Sequence, residues 1–446
     1  MNITISNLSE DIWPFIASLP EKERQVEINE NAYLSDREIW TLSPTEPTVF
    51  ITPVQPDDDF LAYYRSLCPA SQLEVWVTKQ HSGKTCADIL HDPALFQKLV
   101  QLGQQETLRL TSYSASSQFY DLVDALRAQG CTVETPQAPT KPQAWTVNFF
   151  GSKSGIRQVT QHLSNSHCSW MAEGMVCFGL FDAAALAASR YVAEGGVVIK
   201  TNKAHSGVGV KIFRPGDLPD EFEACQQAVL SFLQQEAYWE MFPIVVEKYL
   251  EIDQTVGGGN PNCEFLISEK GKLELLYTCG MRVSREGVFK GIEVSRTVLP
   301  TTVLEQLLAY GQELGEEYVK AGYRGYFDVD CVYTKDQQLL ITESNVRRTG
   351  GTHVYHMARH LYGADFLDTA YTLSHNNYQV SSEQSLSFKE LQSILEPLLF
   401  SPQTKEGLVI ASANLLKQHT FAYVIIGSSK ECALAIEDEM EKLLDQ

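Results

Sequence analysis

The sequence predicts a multidomain chain of mixed α/β and α+β class. An open α/β domain comes first, a core of two α+β subdomains follows, and a small α/β unit closes the chain. Three observations carry this. Strand and helix patterns alternate up to about residue 140. Three prolines crowd Pro136-Gln-Ala-Pro-Thr-Lys-Pro142, breaking helix and strand alike. Beyond them, strands and helices follow one another irregularly. At 446 residues the chain has room for two to four domains.

In the first domain, residues 1–140, Thr48-Val-Phe-Ile-Thr52 and Leu73-Glu-Val-Trp-Val-Thr78 read as strands. Residues 87–102 read as one amphipathic helix. Leu108-Arg-Leu-Thr-Ser-Tyr113, then 118–129, then Cys131-Thr-Val-Glu134 make a strand–helix–strand unit, with Gly130 at the helix C-cap. The core is placed at 143–385, with a first subdomain at about 150–250 and a second at about 251–385. Val197-Val-Ile-Lys200, Pro243-Ile-Val-Val-Glu-Lys-Tyr-Leu250, 273–277, 325–333 and 338–342 are its strands. Residues 300–321 form a long helix, capped by Thr301 or Thr302 and ended before Gly322. Residues 386–446 read as a separate unit. It has a helix at 388–398, strands at Gly407-Leu-Val-Ile-Ala411 and Thr420-Phe-Ala-Tyr-Val-Ile-Ile-Gly427, and a final helix over 430–444 with its acidic face in solvent.

Composition narrows the function. Hydrophobic residues at 44% and charged residues at 20% describe an ordinary globular protein. A net charge of −21 argues against nucleic acid and against anionic membrane surfaces as partners. Ten cysteines lack C-x-x-C spacing, which disfavours a zinc ribbon, and thiols such as Cys177 and Cys331 sit among apolar residues. No leader pattern and no apolar run long enough to span a bilayer are present, so the expectation is a reduced, cytoplasmic protein.

Four segments carry chemistry. In Ile341-Thr-Glu-Ser-Asn-Val-Arg-Arg-Thr-Gly-Gly-Thr-His353, entered through Gly325-Tyr-Phe-Asp-Val-Asp330, hard oxygen ligands precede two arginines. Asp328 and Asp330 share one strand face, and Glu343 and Asn345 share another. Asp330, Glu343 and Asn345 thus suit Mg²⁺, and Arg347 and Arg348 beside them suit a phosphoryl group in transfer. Val198-Val-Ile-Lys200, followed by a polar loop containing Gly207 and Gly209, can grip phosphates through lysine and backbone N–H groups. Taken alone, that segment reads more readily as a plain hairpin with a glycine loop. Val245-Val-Glu247-Lys248-Tyr249-Leu250-Glu251-Ile-Asp253 is a strand exit that can face an adenine and a ribose, or simply a charged strand end. Gly280-Met-Arg282-Val-Ser-Arg285, with Lys290 and Arg296, concentrates basic residues in an acidic chain, for a substrate carboxylate, a triphosphate or mere charge balance.

In this order the four segments resemble the ATP-grasp superfamily of carboxylate–amine ligases over roughly residues 143–380. Glu-Ser-Asn-Val-Arg-Arg-Thr-Gly-Gly-Thr-His resembles the pheganomycin-type peptide ligase branch, which implies a pre-ATP-grasp domain in front and a short C-terminal domain behind. The resemblance implies ATP and Mg²⁺ as cofactors, with Mn²⁺ as a substitute. It implies Lys153, in Phe150-Gly-Ser-Lys-Ser-Gly155, and Lys200 as phosphate ligands, with Ser206, Gly207 and Gly209 as a flap. It also implies Glu247 with the Lys248, Tyr249 and Leu250 backbone on adenine, Asp253 on ribose, and Asp330, Glu343 and Asn345 on the metal. Arg347, Arg348 and Arg282 then serve catalysis, and Arg282, Arg348 and His353 a substrate carboxylate. Asp328 stands where the D-alanine ligase branch has an arginine, so that duty passes to Arg282, Arg347 or Arg348. The implied activity is amide formation between a carboxylate, as of an amino acid, and an amine through an acylphosphate, and the resemblance also implies a homodimer. A carrier-protein thiol as acceptor and a non-catalytic nucleotide sensor are the alternatives.

Overall fold

The computed structural model describes residues 1–163, 169–203, 209–285, 287–380 and 386–445. The first region builds a five-stranded sheet from β1 (Asn2–Ile5), β2 (Thr48–Thr52), β3 (Leu73–Val77), β4 (Leu108–Ser112) and β5 (Val133–Glu134). Its order is β3-β2-β1-β4-β5 and every pairing is parallel. The central strands are buried on both faces: Ile3, Ile5, Val49, Ile51 and Leu110 on one, Thr4 and Phe50 on the other. The strand order reverses between β1 and β4. Loops leaving the carboxyl ends of these two strands diverge there, and in open parallel sheets that crevice is where ligands bind.

The single helix expected at 87–102 is two, Thr85–Leu90 and Pro93–Gln105. Pro93 lacks an N–H and suits a helix start, and the Asp92 carboxylate accepts from the N–H of Ala94 and of Leu95, each at 3.1 Å.

The core has two sheets. A four-stranded antiparallel sheet, ordered β6-β9-β7-β8, comprises β6 (Gly174–Cys177), β7 (Val197–Thr201), β8 (Val210–Phe213) and β9 (Ile244–Lys248). Helix Leu180–Glu194 packs on it through Ala183, Ala184, Ala187 and Ala188, whose small side chains let it approach Val197, Ile199 and Val246.

The second core sheet has eight strands. These are β10 (Pro261–Ile267), β11 (Leu273–Val283), β12 (Phe289–Val294), β13 (Gly325–Tyr333), β14 (Leu339–Glu343), β15 (Tyr371–Gln379), β16 (Gly407–Ser412) and β17 (Thr420–Gly427), ordered β14-β13-β10-β11-β12-β15-β17-β16. The tail therefore adds no sheet of its own. Strand β17 is buried from Phe421 to Gly427, a pattern that needs a neighbour on each side, and β15 and β16 supply them. Nor is the last helix, Lys430–Leu444, acidic only toward solvent. Glu437 is buried, accepting from Arg282 at 2.6 and 2.9 Å and from the Tyr423 hydroxyl at 2.6 Å. The long helix runs Thr301–Lys320 with Pro300 at its N-cap, in place of Thr301 or Thr302, and Gly322 at φ +87° follows its end.

A short 3₁₀ helix, Leu34–Thr41, locks the first domain onto the tail. Trp40 donates its indole N–H to the Ala411 carbonyl at 3.0 Å. The Asp36 carboxylate accepts from Ser412 Oγ at 2.5 Å and from the N–H of Ala413 and Asn414 at 2.9 and 2.8 Å. The nine described cysteines are free, and eight of them are buried. Among the described residues no helix is long and apolar enough to cross a membrane.

Candidate active site

A cleft of about 660 Å³ lies between the two core sheets, and the crevice of the first domain closes one end of it. Val198 and Lys200 of β7 and Val210 and Ile212 of β8 form one wall. Asp328, Asp330 and Val332 of β13 and Leu340 to Glu343 of β14 form the opposite one.

Antiparallel pairing of β7 with β9 sets Val198 opposite Glu247 and Lys200 opposite Val245. Lys200 and Glu247 therefore share a face two residues apart and meet at 2.7 Å, while Arg157 reaches the other Glu247 oxygen at 2.5 Å. All three are buried. Burial raises the Glu247 pKa, but Lys200 and Arg157 together hold it below the usual carboxylate range. Its carboxylate is thus engaged with these two cations. Lys248, Tyr249 and Leu250, expected to meet adenine, line the cleft beside Ala172, Val198 and Ile212.

Lys153 opens helix Lys153–Leu163, where its N–H donates to the Asn202 carbonyl at 2.9 Å. Its ammonium meets Glu343 at 2.6 Å. Gly209 has φ +74°, a conformation that favours glycine, and its carbonyl accepts from Thr201 N–H at 2.8 Å. Ser206 and Gly207 lie outside the described residues.

Asp330 and Glu343 are direct cross-strand partners. Asn345 follows in the loop, where its amide donates to Asp330 at 3.0 Å and to Asp328 at 3.1 Å. Asn262 donates to Asp330 at 2.6 Å. Burial first, then the charges of Asp328 and Glu343, push the Asp330 carboxyl well above its usual range. Mutually repelling carboxylates at a cleft wall are what a cation relieves. Among the described residues no three His, Cys, Asp or Glu side chains converge as a metal cage. A hard cation here would take two carboxylates and an amide oxygen, with phosphate and water completing its shell, the Mg²⁺ pattern.

Arg347 lies beside this cluster. Nε donates to Asp11 Oδ2 at 3.2 Å, and the two Nη donate to the Tyr113 hydroxyl at 3.2 Å, the Arg348 carbonyl at 2.8 Å and Asn345 Oδ1 at 3.1 Å. The next loop, Thr349-Gly-Gly-Thr352, is pinned by Glu264. This buried carboxylate accepts from Thr349, Thr352 and Tyr277 hydroxyls at 2.5, 2.6 and 2.8 Å, and burial lifts its pKa to about 7.

Four expected residues do not reach the cleft. Arg348 is buried between the domains, donating to Thr41 Oγ1 at 3.0 Å and Gln137 Oε1 at 2.9 Å. Arg282 is spent on Glu437. His353 is fully buried, and neither ring nitrogen has a hydrogen-bond partner among the described residues. Burial, with Arg37 nearby, keeps its imidazole neutral by lowering the pKa far below the usual value. Asp253 turns back on Thr255, accepting from its N–H at 2.9 Å and hydroxyl at 2.7 Å, and the adjacent Glu251 pairs with Lys335 at 2.9 Å.

Sequence reasoning placed nothing from the first domain in the site, yet Leu8, Ile12, Asn31, Leu34, Arg37 and Tyr113 line it. The two crevice loops are tied by Asn7, which donates to the Ser114 carbonyl at 2.9 Å and accepts from its N–H at 3.2 Å. One signal was available: the polar run Ser6-Asn7-Leu-Ser-Glu10-Asp11 directly follows an apolar strand in an α/β pattern. The apolar residues flanking the cleft carried no such signal, because strand residues of that kind are ordinarily core.

Over residues 35–128 the chain matches the family described as Pre ATP-grasp domain. No curated protein matches the sequence. Solved structures match all of this chain at low identity. A biotin carboxylase complex from Campylobacter jejuni is 12% identical over 90% of its own length, with a TM-score of 0.59. The biotin carboxylase domain of the Hydrogenobacter thermophilus 2-oxoglutarate carboxylase is 11% identical over 89% of its length, with a TM-score of 0.56. An N5-carboxyaminoimidazole synthase from Aspergillus clavatus is 9% identical over 99% of its length, with a TM-score of 0.53. The chain has the ATP-grasp fold.

Proposed function

We propose that the protein is an ATP-dependent ligase that activates a carboxylate as an acylphosphate and passes the acyl group to an amine. The observation that carries this is the arrangement across one cleft. Asp330 and Glu343 face each other beside Asn345, and Lys153, Lys200 and Arg347 surround them. Two acids with three cations suit a metal-bound triphosphate far better than a neutral ligand. Support also comes from the solved relatives on this fold. The Hydrogenobacter structure is a complex with MgADP, ADP and bicarbonate, and the Aspergillus one holds ADP and 5-aminoimidazole ribonucleotide.

In this reading a substrate carboxylate oxygen attacks the γ-phosphorus, the bond to the β–γ bridging oxygen breaks, and ADP leaves. The amine then attacks the acyl carbon, the acyl C–O bond to phosphate breaks, inorganic phosphate leaves, and the amine loses a proton. Lys153 and Lys200 hold the phosphates. Arg347, aimed by Asp11, Tyr113 and Asn345, stabilises charge on the transferred group. Asp330, Glu343 and Asn345 would hold Mg²⁺, which would supply neutralisation of phosphate charge. The Lys248–Leu250 segment takes adenine. The net charge of −21 favours a small amine over an acidic carrier protein as acceptor.

Glu343→Gln tests this assignment. Acid-dependent ADP release should be lost while the circular dichroism spectrum is kept, because Glu343 is only part-buried at the cleft wall. Normal turnover in the folded variant would reject it.

A further inference from the structure

We infer that Arg37, from the first domain, is the anchor for a non-reacting carboxylate of the substrate, so that the acid taken is a dicarboxylate, such as an acidic amino acid held by its α-carboxylate while its side-chain carboxylate reacts. The inference rests on the ligase reading for its chemistry and on separate observations for its place. Arg37 is only 4% exposed, yet it lines the cleft. Its single hydrogen bond runs from Nε to Glu38 at 3.3 Å, and neither terminal nitrogen has a partner among the described residues. A guanidinium held in a cleft wall with its fork unpaired can bind a carboxylate through two parallel N–H donors.

The surroundings fit an anion of limited size. Leu34–Thr41 packs against helix Thr352–Leu361, which brings Arg37 close to the start of that helix, and its charge acts there on His353. Gly350 and Gly351 lie at this N-terminus and also line the cleft. A Cβ at Gly351 would collide with the Tyr277 hydroxyl, and one at Gly350 with Phe289, so the backbone there lies tight against the wall. N–H groups of a helix's first turn attract anions. Tyr113, which also feels the Arg37 charge, connects this end to Arg347. An acid held by Arg37 at one end therefore has its other end directed toward Arg347 and the phosphates. This gives Arg37 the grip that sequence reasoning assigned to Arg282, Arg348 and His353.

An oxyanion on Arg37 could also be a nucleotide phosphate, and the test separates the two. Wild type, Arg37→Leu and Arg37→Lys are titrated by calorimetry with MgADP and MgATP. They are then titrated, with MgADP present, with the twenty L-amino acids and their α-carboxamides. The expected result is an acidic amino acid whose Kd rises about 30-fold or more in Arg37→Leu. It should rise less in Arg37→Lys, which keeps the charge without the fork. Its carboxamide should bind weakly to all three proteins, and both nucleotides should keep wild-type affinity, which also confirms folding. Equal amino-acid affinity in all three proteins overturns the inference. So does a loss confined to nucleotide, an equal loss for acid and carboxamide, or the absence of any binding amino acid. If an amino acid binds through Arg37 but drives no ADP release, the subsite stands and the ligase reading fails.

Discussion

Asp11 holds Arg347 across the boundary between the first domain and the core. One carboxylate oxygen accepts from Arg347 Nε at 3.2 Å and the other from Lys203 at 2.9 Å. Burial alone would raise the Asp11 pKa, but these two cations hold it below the usual range. The first domain thus does more than cover the cleft: it aims the arginine that lies beside Asp330, Glu343 and Asn345.

Asp11→Asn keeps the shape and removes the charge. A misaimed arginine at a transferring group costs about 100-fold when displaced by an ångström. Steady-state ADP release should show kcat reduced by about 10- to 100-fold with KM for ATP nearly unchanged. An unchanged kcat would make Asp11 a spectator.

Glu247→Ala should unfold more easily. Lys200 and Arg157 would be left buried without their shared counter-charge, and removing one partner of such a group costs about 3–5 kcal/mol. Because the native Glu247 pKa is lowered, its contribution is full above the unfolded carboxylate range and fades as pH falls through the native value. Urea unfolding of Glu247→Gln should show a flatter pH dependence on the acid side than wild type. Identical curves would contradict the assignment.

Lys200→Ala should weaken both MgATP and MgADP binding by about 10- to 100-fold, the size of a hydrogen bond to a charged group. Calorimetry reads this directly, and unchanged affinity would remove Lys200 from the phosphate site.

Asp36 predicts the opposite pH sign. Burial lifts its pKa to about 6 despite three hydrogen bonds from Ser412, Ala413 and Asn414. A raised native pKa gives stability that is full below the unfolded value near 4 and is lost as pH rises through about 6. The loss is at most about 3 kcal/mol. Asp36→Asn can still accept both N–H groups and should remove this dependence at little cost near pH 7. Thermal melts between pH 4 and 7 that keep the wild-type slope in this variant would contradict it.

Much of this was legible in the chain because periodicity and ligand chemistry are local. The alternation before residue 140, the Asp330 and Glu343 strands and the Lys200 strand could each be read from neighbouring residues. What escaped was non-local. Nothing near Arg282 announces that Glu437, 155 positions later, will take its guanidinium. Nothing near Gly407–Ser412 says that β16 and β17 will extend a sheet begun at Pro261. Arg37 sits among Ser35, Asp36 and Glu38, a run that reads as a solvated turn until tertiary packing buries all four. His353 follows the arginine loop in sequence, but the helix that begins there turns its ring into the core.

The measurement that tests the central claim most directly is nucleotide product analysis with MgATP and amino acids, singly and in pairs, with mass spectrometry of the products. The account predicts ADP, phosphate and a new mass equal to the sum of two substrates less water. AMP and pyrophosphate, or no turnover with any acid by a protein that binds MgATP, would contradict it.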